Sequence, residues 1–173
     1  MNKLGAIALI LLVPTCLVSC GRLNAPQQRA APVVDIPSLF GRSVDEVKQT
    51  LGPPTSGDGK LSLTWELHDG ELTIITVWKQ ETKVEKFIFE PNLTSEAQKQ
   101  NYKLLSYEQC GDLIGVDIHG VKPDDYAYEK GSEVANYRHL VLNGHPAYVG
   151  FEKRGGTCTG VMVAAPVEND PVQ

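Results

Sequence analysis

The sequence lacks the patterns that mark most enzymes and nucleic-acid-binding proteins. Its 173 residues contain no Gly-x-Ser-x-Gly turn, no glycine-rich phosphate loop and no His-Glu-x-x-His pair. It has no cluster of Lys and Arg, its net charge is −5, and a face that binds nucleic acid must be basic. We therefore expect a non-enzymatic protein without catalytic residues, cofactor or small-molecule substrate, and one that does not bind nucleic acid.

Long apolar runs are also scarce, which excludes a protein that crosses the membrane several times. The one substantial run is Leu4–Val18, which carries no charge and is broken by Pro14. A membrane-spanning helix needs ~20 apolar residues, so this run is too short. Because Lys3 precedes it and the small residue Ser19 follows it, the segment is typical of a secretory signal peptide.

The end of this segment carries a more specific pattern. Leu17-Val18-Ser19-Cys20 resembles the bacterial lipobox. The resemblance implies that residues 1–19 are removed and that Cys20 then carries acyl chains, such as palmitate, on its sulfur and on its new amino group. Several chains anchor a protein stably, since each buried methylene adds ~0.8 kcal/mol. The alternative is an ordinary cleaved signal peptide in which Cys20 occurs by chance.

The segment after the lipobox suits an anchored protein. Residues 20–35 are rich in Ala, Pro, Gln and Asn, so we expect a flexible tether rather than part of a core. Gly21 rather than Asp follows the cysteine, which by resemblance to lipoproteins of enteric-type bacteria implies an outer-membrane protein that faces the periplasm. Loss of Lys3 with the signal leaves 15 of the 16 basic residues against 21 acidic ones, a net charge of −6. That charge gives no attraction to anionic lipid, so the anchor is the lipid alone.

Only two of the four cysteines are left for the folded domain. Cys16 leaves with the signal peptide and Cys20 is lipidated, so Cys110 and Cys158 remain. In an oxidising compartment two such residues most simply form a structural disulfide. The alternative is a redox-active or metal-binding pair, but there is no Cys-x-x-Cys motif and no His at ligand spacing from either residue.

Residues 36–91 carry the clearest pattern of secondary structure. Ser43 and Glu46 have the spacing of a helix capping box, and Gly52 with the prolines after it predicts that the helix ends at Leu51. Asp69-Gly70 predicts a hairpin turn within the β-meander that follows, and we expect Trp65 and Trp78 in the core. The alternation of apolar residues predicts three strands, at 61–67, 72–79 and 84–90.

This order of elements resembles a known family. Gly41-Arg42-Ser43-x-x-Glu46-Val47-x-x-x-Leu51-Gly52-x-Pro54, followed by a strand containing Trp65, is similar to the SmpA/OmlA (BamE-like) domain and to the repeat of beta-lactamase inhibitory protein. The resemblance implies an α+β fold over 36–91, with two helices on a three-stranded antiparallel sheet. It also implies an outer-membrane lipoprotein that supports the assembly of β-barrel proteins.

Residues 92–173 are expected to form a second α+β unit, a candidate repeat of the first, which carries the disulfide and ends in a frayed tail over 166–173. Asn143-Gly144 predicts a type I′ turn between two of its strands, and Asn92 or Thr94 is expected to cap its first helix. The predicted helices lie at 95–105 and 107–113, and the predicted strands lie at 137–142, 145–151 and 158–165.

Residues 115–135 are expected to form a loop, with a short strand within it as the alternative, and this segment carries the candidate contact residues. With Tyr126 and Tyr128 the segment has more aromatic residues than a simple connector needs, so the two tyrosines are candidates for contact with a protein partner. The alternative is that they cover the sheet edge. A metal site formed by His139, His145 and the acidic residues of the loop is a less favoured interpretation.

These observations support a membrane-anchored protein-binding or scaffold module of the cell envelope, with β-barrel assembly as its specific role. The alternative is an inhibitor or immunity-type lipoprotein that blocks an exported hydrolase. In both cases an envelope protein is the expected partner.

The anchor is tested by replacing Cys20 with Ala. We expect the variant to leave the membrane fraction and become soluble, because the mature chain has no other membrane-binding feature in its sequence. Fractionation of cells followed by immunoblotting measures this, with Cys16→Ala as the matched control. Membrane association that survives in Cys20→Ala would contradict the lipobox interpretation.

Overall fold

A computed structural model describes residues 31–57, 61–77, 80–95, 99–100 and 102–166. The predicted signal peptide, Cys20 and most of the tether lie outside the described residues, as do Trp78 and the tail after residue 166. In the described part of the chain, no helix is both long enough and apolar enough to cross a membrane.

Strands dominate the described part of the chain, and its helices are short. The elements in chain order are α1 (Ile36–Leu39), α2 (Val44–Leu51), β1 (Ser56–Gly57), β2 (Ser62–Leu67), β3 (Gly70–Val77), β4 (Gln80–Pro91), α3 (Tyr107–Leu113), β5 (Asp125–Glu129), β6 (Ser132–Leu142), β7 (His145–Arg154) and β8 (Thr157–Ala164).

All eight of these strands belong to one antiparallel sheet, in the order β1-β2-β3-β4-β8-β7-β6-β5. The strands form two four-stranded meanders, β1 to β4 and β5 to β8. The meanders are joined where Lys86–Phe89 of β4 pairs with Val161–Ala164 of β8. As a result, β1 and β5 are the two edges of the described sheet.

The predicted fold class is therefore wrong. The chain does not form a two-helix, three-stranded unit over 36–91 with a repeat after it. Instead β4 pairs with β8, so both halves share one eight-stranded sheet. Each half also has an additional edge strand, and α1 is a single turn. The pairing of β4 with β8 joins residues about 75 positions apart, which no local pattern reports.

The local predictions around α2 are confirmed. Ser43 Oγ accepts the Glu46 N–H at 3.3 Å, and the Glu46 carboxylate accepts the Ser43 N–H at 2.8 Å, which completes the capping box. Gly52 ends the helix with a φ of +83°. The buried Trp65 indole donates to the Gly52 carbonyl at 3.0 Å, so the end of α2 is fixed on β2.

The second half mixes confirmed and wrong predictions. The helix at 107–113 and the positive φ angles of Asn143 and Gly144 are as predicted. The segment predicted as a loop over 115–135 contains β5, in agreement with the short strand considered there, and β6 begins at Ser132, five residues before the predicted strand. In the first half, the hairpin between β2 and β3 turns at His68-Asp69, one residue earlier than predicted, because Leu67 pairs with Gly70.

One face of the sheet holds the core. A continuous row of side chains crosses seven strands, and the first six are buried: Trp65, Leu72, Phe89, Val161, Phe151, Ala135 and, at the edge, Tyr126. The helices cover this face. Because the row runs through both meanders, the two halves share one core.

The N-terminal segment joins the two halves a second time. The Val33 N–H donates to the Leu113 carbonyl at 2.9 Å, and the Ile36 N–H donates to the Ile114 carbonyl at 3.0 Å. From the other side, the Asn143 side chain donates to the Phe40 carbonyl at 3.1 Å. The end of the predicted tether is therefore fixed beside the C-terminal end of α3.

The packing of α3 is tested with Gly111→Ala. Helix propensity alone favours Ala by ~1 kcal/mol, but the new Cβ would lie 2.5 Å from the Val116 carbonyl oxygen. We expect the clash to dominate and to lower the free energy of unfolding by ~1–3 kcal/mol, measured by urea denaturation.

Gly160→Ala is the matched control. Its Cβ would meet only ordinary contacts, the nearest at 3.8 Å, so we expect a change within ~0.5 kcal/mol or a slight stabilisation. Equal effects of the two substitutions would contradict the packing of α3 described here.

Candidate functional site

The two tyrosines predicted as contact residues lie on the edge strand β5, not in a loop. Tyr126 is 49% exposed and Tyr128 is 74% exposed. Among the described strands β5 pairs only with β6. An edge strand offers unpaired backbone groups to another chain, so the exposed aromatic rings stand beside a row of available donors and acceptors.

The turn after β5 sets which of its backbone groups point outward. Lys130 and Gly131 have φ angles of +50° and +84°, as in a type I′ turn, and Glu129 pairs with Ser132 across it. The closing pair of such a hairpin exchanges hydrogen bonds, and bonded and non-bonded pairs then alternate along the strand. The N–H and C=O groups of Tyr126 and Tyr128 therefore point away from β6.

The side chain of Tyr126 continues the core to the surface. It lies opposite the buried Ala135, at the end of the buried row that crosses the sheet. Its ring centroid is 6.2 Å from that of Tyr107 on α3, and the Tyr107 ring is 6.4 Å from that of Phe151. Aromatic pairs at this distance contribute ~0.5–1.5 kcal/mol beyond their burial. Tyr126 is thus a half-exposed extension of a rigid aromatic cluster.

A second row of side chains that are cross-strand neighbours begins at Tyr128. Tyr128, Glu133, Lys153 and Cys158 lie opposite one another on β5, β6, β7 and β8. The Tyr107 hydroxyl donates to the Glu133 carboxylate. The Lys153 ammonium lies 4.0 Å from the Tyr107 ring centroid and donates to a backbone carbonyl in the segment before α3. Both charges of the row therefore have partners.

The pKa values of the two hydroxyls agree with this network. Burial, followed by the hydrogen bond to Glu133, raises the pKa of Tyr107 above its usual value. The hydrogen bond to Glu133 is the main cause that raises the pKa of Tyr128. Both hydroxyls are therefore protonated at neutral pH, and Glu133 accepts the hydrogen bond of Tyr107.

An open cavity of about 530 Å³ adjoins Tyr128. It lies between the β5–β6 turn and the β7–β8 turn, and Glu133 and Lys153 form part of its wall together with the glycines of the two turns. A chain that extends along β5 past Tyr128 would pass this cavity.

The two cysteines predicted to form a disulfide lie behind this network. Cys110 on α3 and Cys158 on β8 are both fully buried, and their sulfurs are 3.3 Å apart as thiols. The hydrogen bond from the Cys158 thiol lowers the pKa of Cys110, and the same bond raises that of Cys158. The disulfide itself stays a prediction.

The histidines of the less favoured metal site do not face each other. His139 lies 3.7 Å from Asp124, whereas His145 pairs with Leu142 and its ring lies against Gly41. The described residues hold no group of three or more His, Cys, Asp or Glu side chains suited to a metal ion.

Other polar residues around the 115–135 segment and after β4 make local contacts. Asp112 lies 3.3 Å from His119, and Asp125 binds the Arg138 guanidinium at 2.6 Å. Asn92 accepts the Thr94 N–H at 3.1 Å, which closes a local turn.

Three residues that support the tyrosines were not predicted, namely Tyr107, Glu133 and Lys153. One signal was available. Ser106 and Gln109 form a complete capping box at the start of α3, which places Tyr107 and Cys110 three residues apart on one helix face. The register that places Glu133 opposite Lys153 depends on long-range strand pairing and had no local signal.

Comparisons with known proteins give little more. No known protein family matches the chain, and no curated protein matches it. Among solved structures, the chain is similar to a DUF4309 family protein (YjgB) from Bacillus subtilis, with 12% identity and a TM-score of 0.46 over 73% of this chain and 80% of that one. A likeness at this level carries no conclusion about function.

The network around Glu133 is tested with Tyr107→Phe. Loss of the hydroxyl removes a hydrogen bond to a partly buried carboxylate, so we expect the free energy of unfolding to fall by ~1–2 kcal/mol in urea denaturation. Tyr126→Phe is the control and should change it by less than ~0.5 kcal/mol, since no hydrogen bond of that hydroxyl is found within the described residues. Equal losses in both variants would contradict the network.

Proposed function

We propose that this chain is a membrane-anchored, non-enzymatic binding module that holds an extended segment of another envelope protein. The segment adds as a ninth strand to the outer side of β5, next to Tyr126 and Tyr128. The observation that carries the proposal is that the same two residues have exposed rings and outward-pointing backbone groups.

The backbone of β5 supplies the affinity in this proposal. Tyr126 and Tyr128 offer two N–H donors and two carbonyl acceptors, spaced as in a regular antiparallel strand. Peptides that add to a sheet edge take their main-chain hydrogen bonds from such a row, and alternate side chains then determine specificity.

The aromatic rings supply the specificity. Every second side chain of an added strand would lie on the helix-covered side, beside the rings of Tyr126 and Tyr128. Tyr126 is continuous with the buried row, and Tyr128 lies opposite Glu133 on β6. A partner segment with apolar or aromatic residues at alternate positions fits this surface best, because exposed tyrosines on a rigid base are favourable contact residues.

The predicted lipid anchor limits the distance from the membrane at which β5 can bind a partner. Residues 20–32 can span at most about 45 Å when fully extended. The first residues that follow are fixed by hydrogen bonds to the end of α3. The module would therefore act within that distance of the membrane to which Cys20 is attached.

Assembly of outer-membrane β-barrels is the specific form of the proposal. A barrel strand before closure is an extended segment with alternating apolar residues, which is the class of partner that β5 suits. This form rests on the sequence resemblance and on the shape of the edge together.

The test begins with the full-length chain in cells. A photocrosslinking amino acid at position 128 should capture one envelope protein, whereas the same group at Val141, which is 67% exposed on the β6–β7 hairpin, should not. Peptides from the captured region then supply the ligand for binding measurements.

Two substitutions at Tyr128 separate the contribution of its ring to binding from that of its backbone N–H. Tyr128→Ala removes the ring, so we expect the Kd to rise ~5–30-fold. Tyr128→Pro also removes the outward N–H, and Pro is tolerated on a strand edge that faces solvent. We expect a further loss of at least ~5-fold from this change, measured by calorimetry on folded protein.

Val141→Ala is the matched control and should leave the Kd unchanged. Equal Kd values for Tyr128→Ala and Tyr128→Pro would contradict strand addition at β5. A tight stoichiometric complex with an exported hydrolase through another surface would favour the inhibitor interpretation instead.

A further inference from the structure

Cys110 and Cys158 lie in positions that join the helical layer to the sheet. Cys110 is on α3, Cys158 is on β8, and their sulfurs are 3.3 Å apart in a site that excludes solvent. A disulfide needs the two sulfurs ~2.0 Å apart, so a small movement of the side chains would bring them to bonding distance. A covalent bond here would hold α3 on the sheet from within the core.

We propose that Cys110 and Cys158 form a disulfide that holds α3 in place and thereby keeps Tyr107 packed against the β5 edge. The bond itself follows from the geometry of the two cysteines. Its effect on partner binding rests on the proposed function of β5.

The positions of the two cysteines explain how the bond would keep Tyr107 packed against the β5 edge. Cys110 lies three residues after Tyr107, on the same face of α3. Cys158 pairs with Lys153, whose ammonium lies over the Tyr107 ring. The bond would therefore close a ring of contacts around Tyr107, the residue against which the Tyr126 ring packs.

The chemistry is thiol–disulfide exchange with a disulfide-bearing oxidant. The Cys110 thiolate attacks one sulfur of the oxidant and releases one thiol. The Cys158 thiolate then attacks the Cys110 sulfur and releases the second thiol, so both cysteines are oxidised and the oxidant is reduced to two thiols. The two protons of the cysteine thiols go to the two leaving thiolates.

Burial determines when this reaction occurs. Both residues have 0% exposure in the folded protein, so an oxidant reaches them only while α3 is away from the sheet. We expect fast oxidation during folding and very slow oxidation or reduction afterwards.

The experiment uses the full chain with Cys16→Ser and Cys20→Ser, so that only the two domain thiols remain. The protein is unfolded and then refolded with oxidised and reduced glutathione. We expect the loss of both alkylatable thiols, a mass lower by two hydrogen atoms, and a peptide that links Cys110 to Cys158. The loop that the bond closes is long, so the Tm should rise by on the order of 10 °C over the reduced form.

Hydrogen exchange and partner binding measure the effect on α3. Amides of α3 should exchange at least ~10-fold more slowly in the oxidised form, and the captured segment should bind at least ~5-fold more tightly. The same chain with Cys110→Ala and Cys158→Ala is the control, and glutathione should change none of its properties.

Two thiols that stay alkylatable after refolding with oxidised glutathione would overturn the disulfide. A bond that leaves α3 exchange and binding unchanged would overturn its role in holding Tyr107. If the bond forms and slows α3 exchange but neither form binds the segment, the inference about α3 stands and the proposed function of β5 fails.

Discussion

The pairing of β4 with β8 is the contact on which the rest of the structure depends. Four residues of each strand meet, and they convert two separate meanders into one sheet of eight strands. The buried row then runs without a break from Trp65 to the far edge. Without this pairing, each half would have a small core and a further unprotected edge.

The same pairing determines which strands remain at the edges of the sheet. It uses β4 and β8, the last strands of the two meanders, so β1 and β5 are left at the outside. β1 has two residues, whereas β5 has five residues and two exposed tyrosines. Natural proteins protect long edges with charge, proline or a covering loop. β5 carries charge only at its two ends, at Asp125 and Glu129, and the exposed tyrosines lie between them, which agrees with the proposed use of this edge as a binding surface.

The rigidity of this edge comes from the layer behind it. Tyr107 on α3 contacts the ring of Tyr126 and donates to Glu133. The Lys153 ammonium lies over the Tyr107 ring. The site is therefore organised before any partner arrives, and a preorganised surface loses less conformational entropy on binding than a mobile loop does.

The sequence predicted short-range structure well and long-range structure badly. The capping box at Ser43 and the Asn143-Gly144 turn depend on neighbouring residues, so their patterns were sufficient. The position of β5 within the expected loop was not predicted, because an exposed edge strand shows no apolar alternation. The fold class was wrong because the joining of β4 to β8 depends on residues far apart in the chain.

The residues of the candidate site were likewise predictable only where the local sequence was sufficient. Tyr126 and Tyr128 were recognised as unusual from composition alone, but their position on an edge strand required the sheet. Their support by Glu133 and Lys153 appears only in the register across three strands. Cys110 and Cys158 were paired by elimination, and their proximity required the packing of α3 on β8.

Amide hydrogen exchange along β5, with and without the captured partner segment, tests the central claim most directly. The amides of Tyr126 and Tyr128 should exchange freely in the unbound protein and become strongly protected in the complex. The amide of Ala127 already faces β6 and serves as the internal reference. Unchanged exchange at both tyrosine amides in a saturated complex would contradict strand addition at β5.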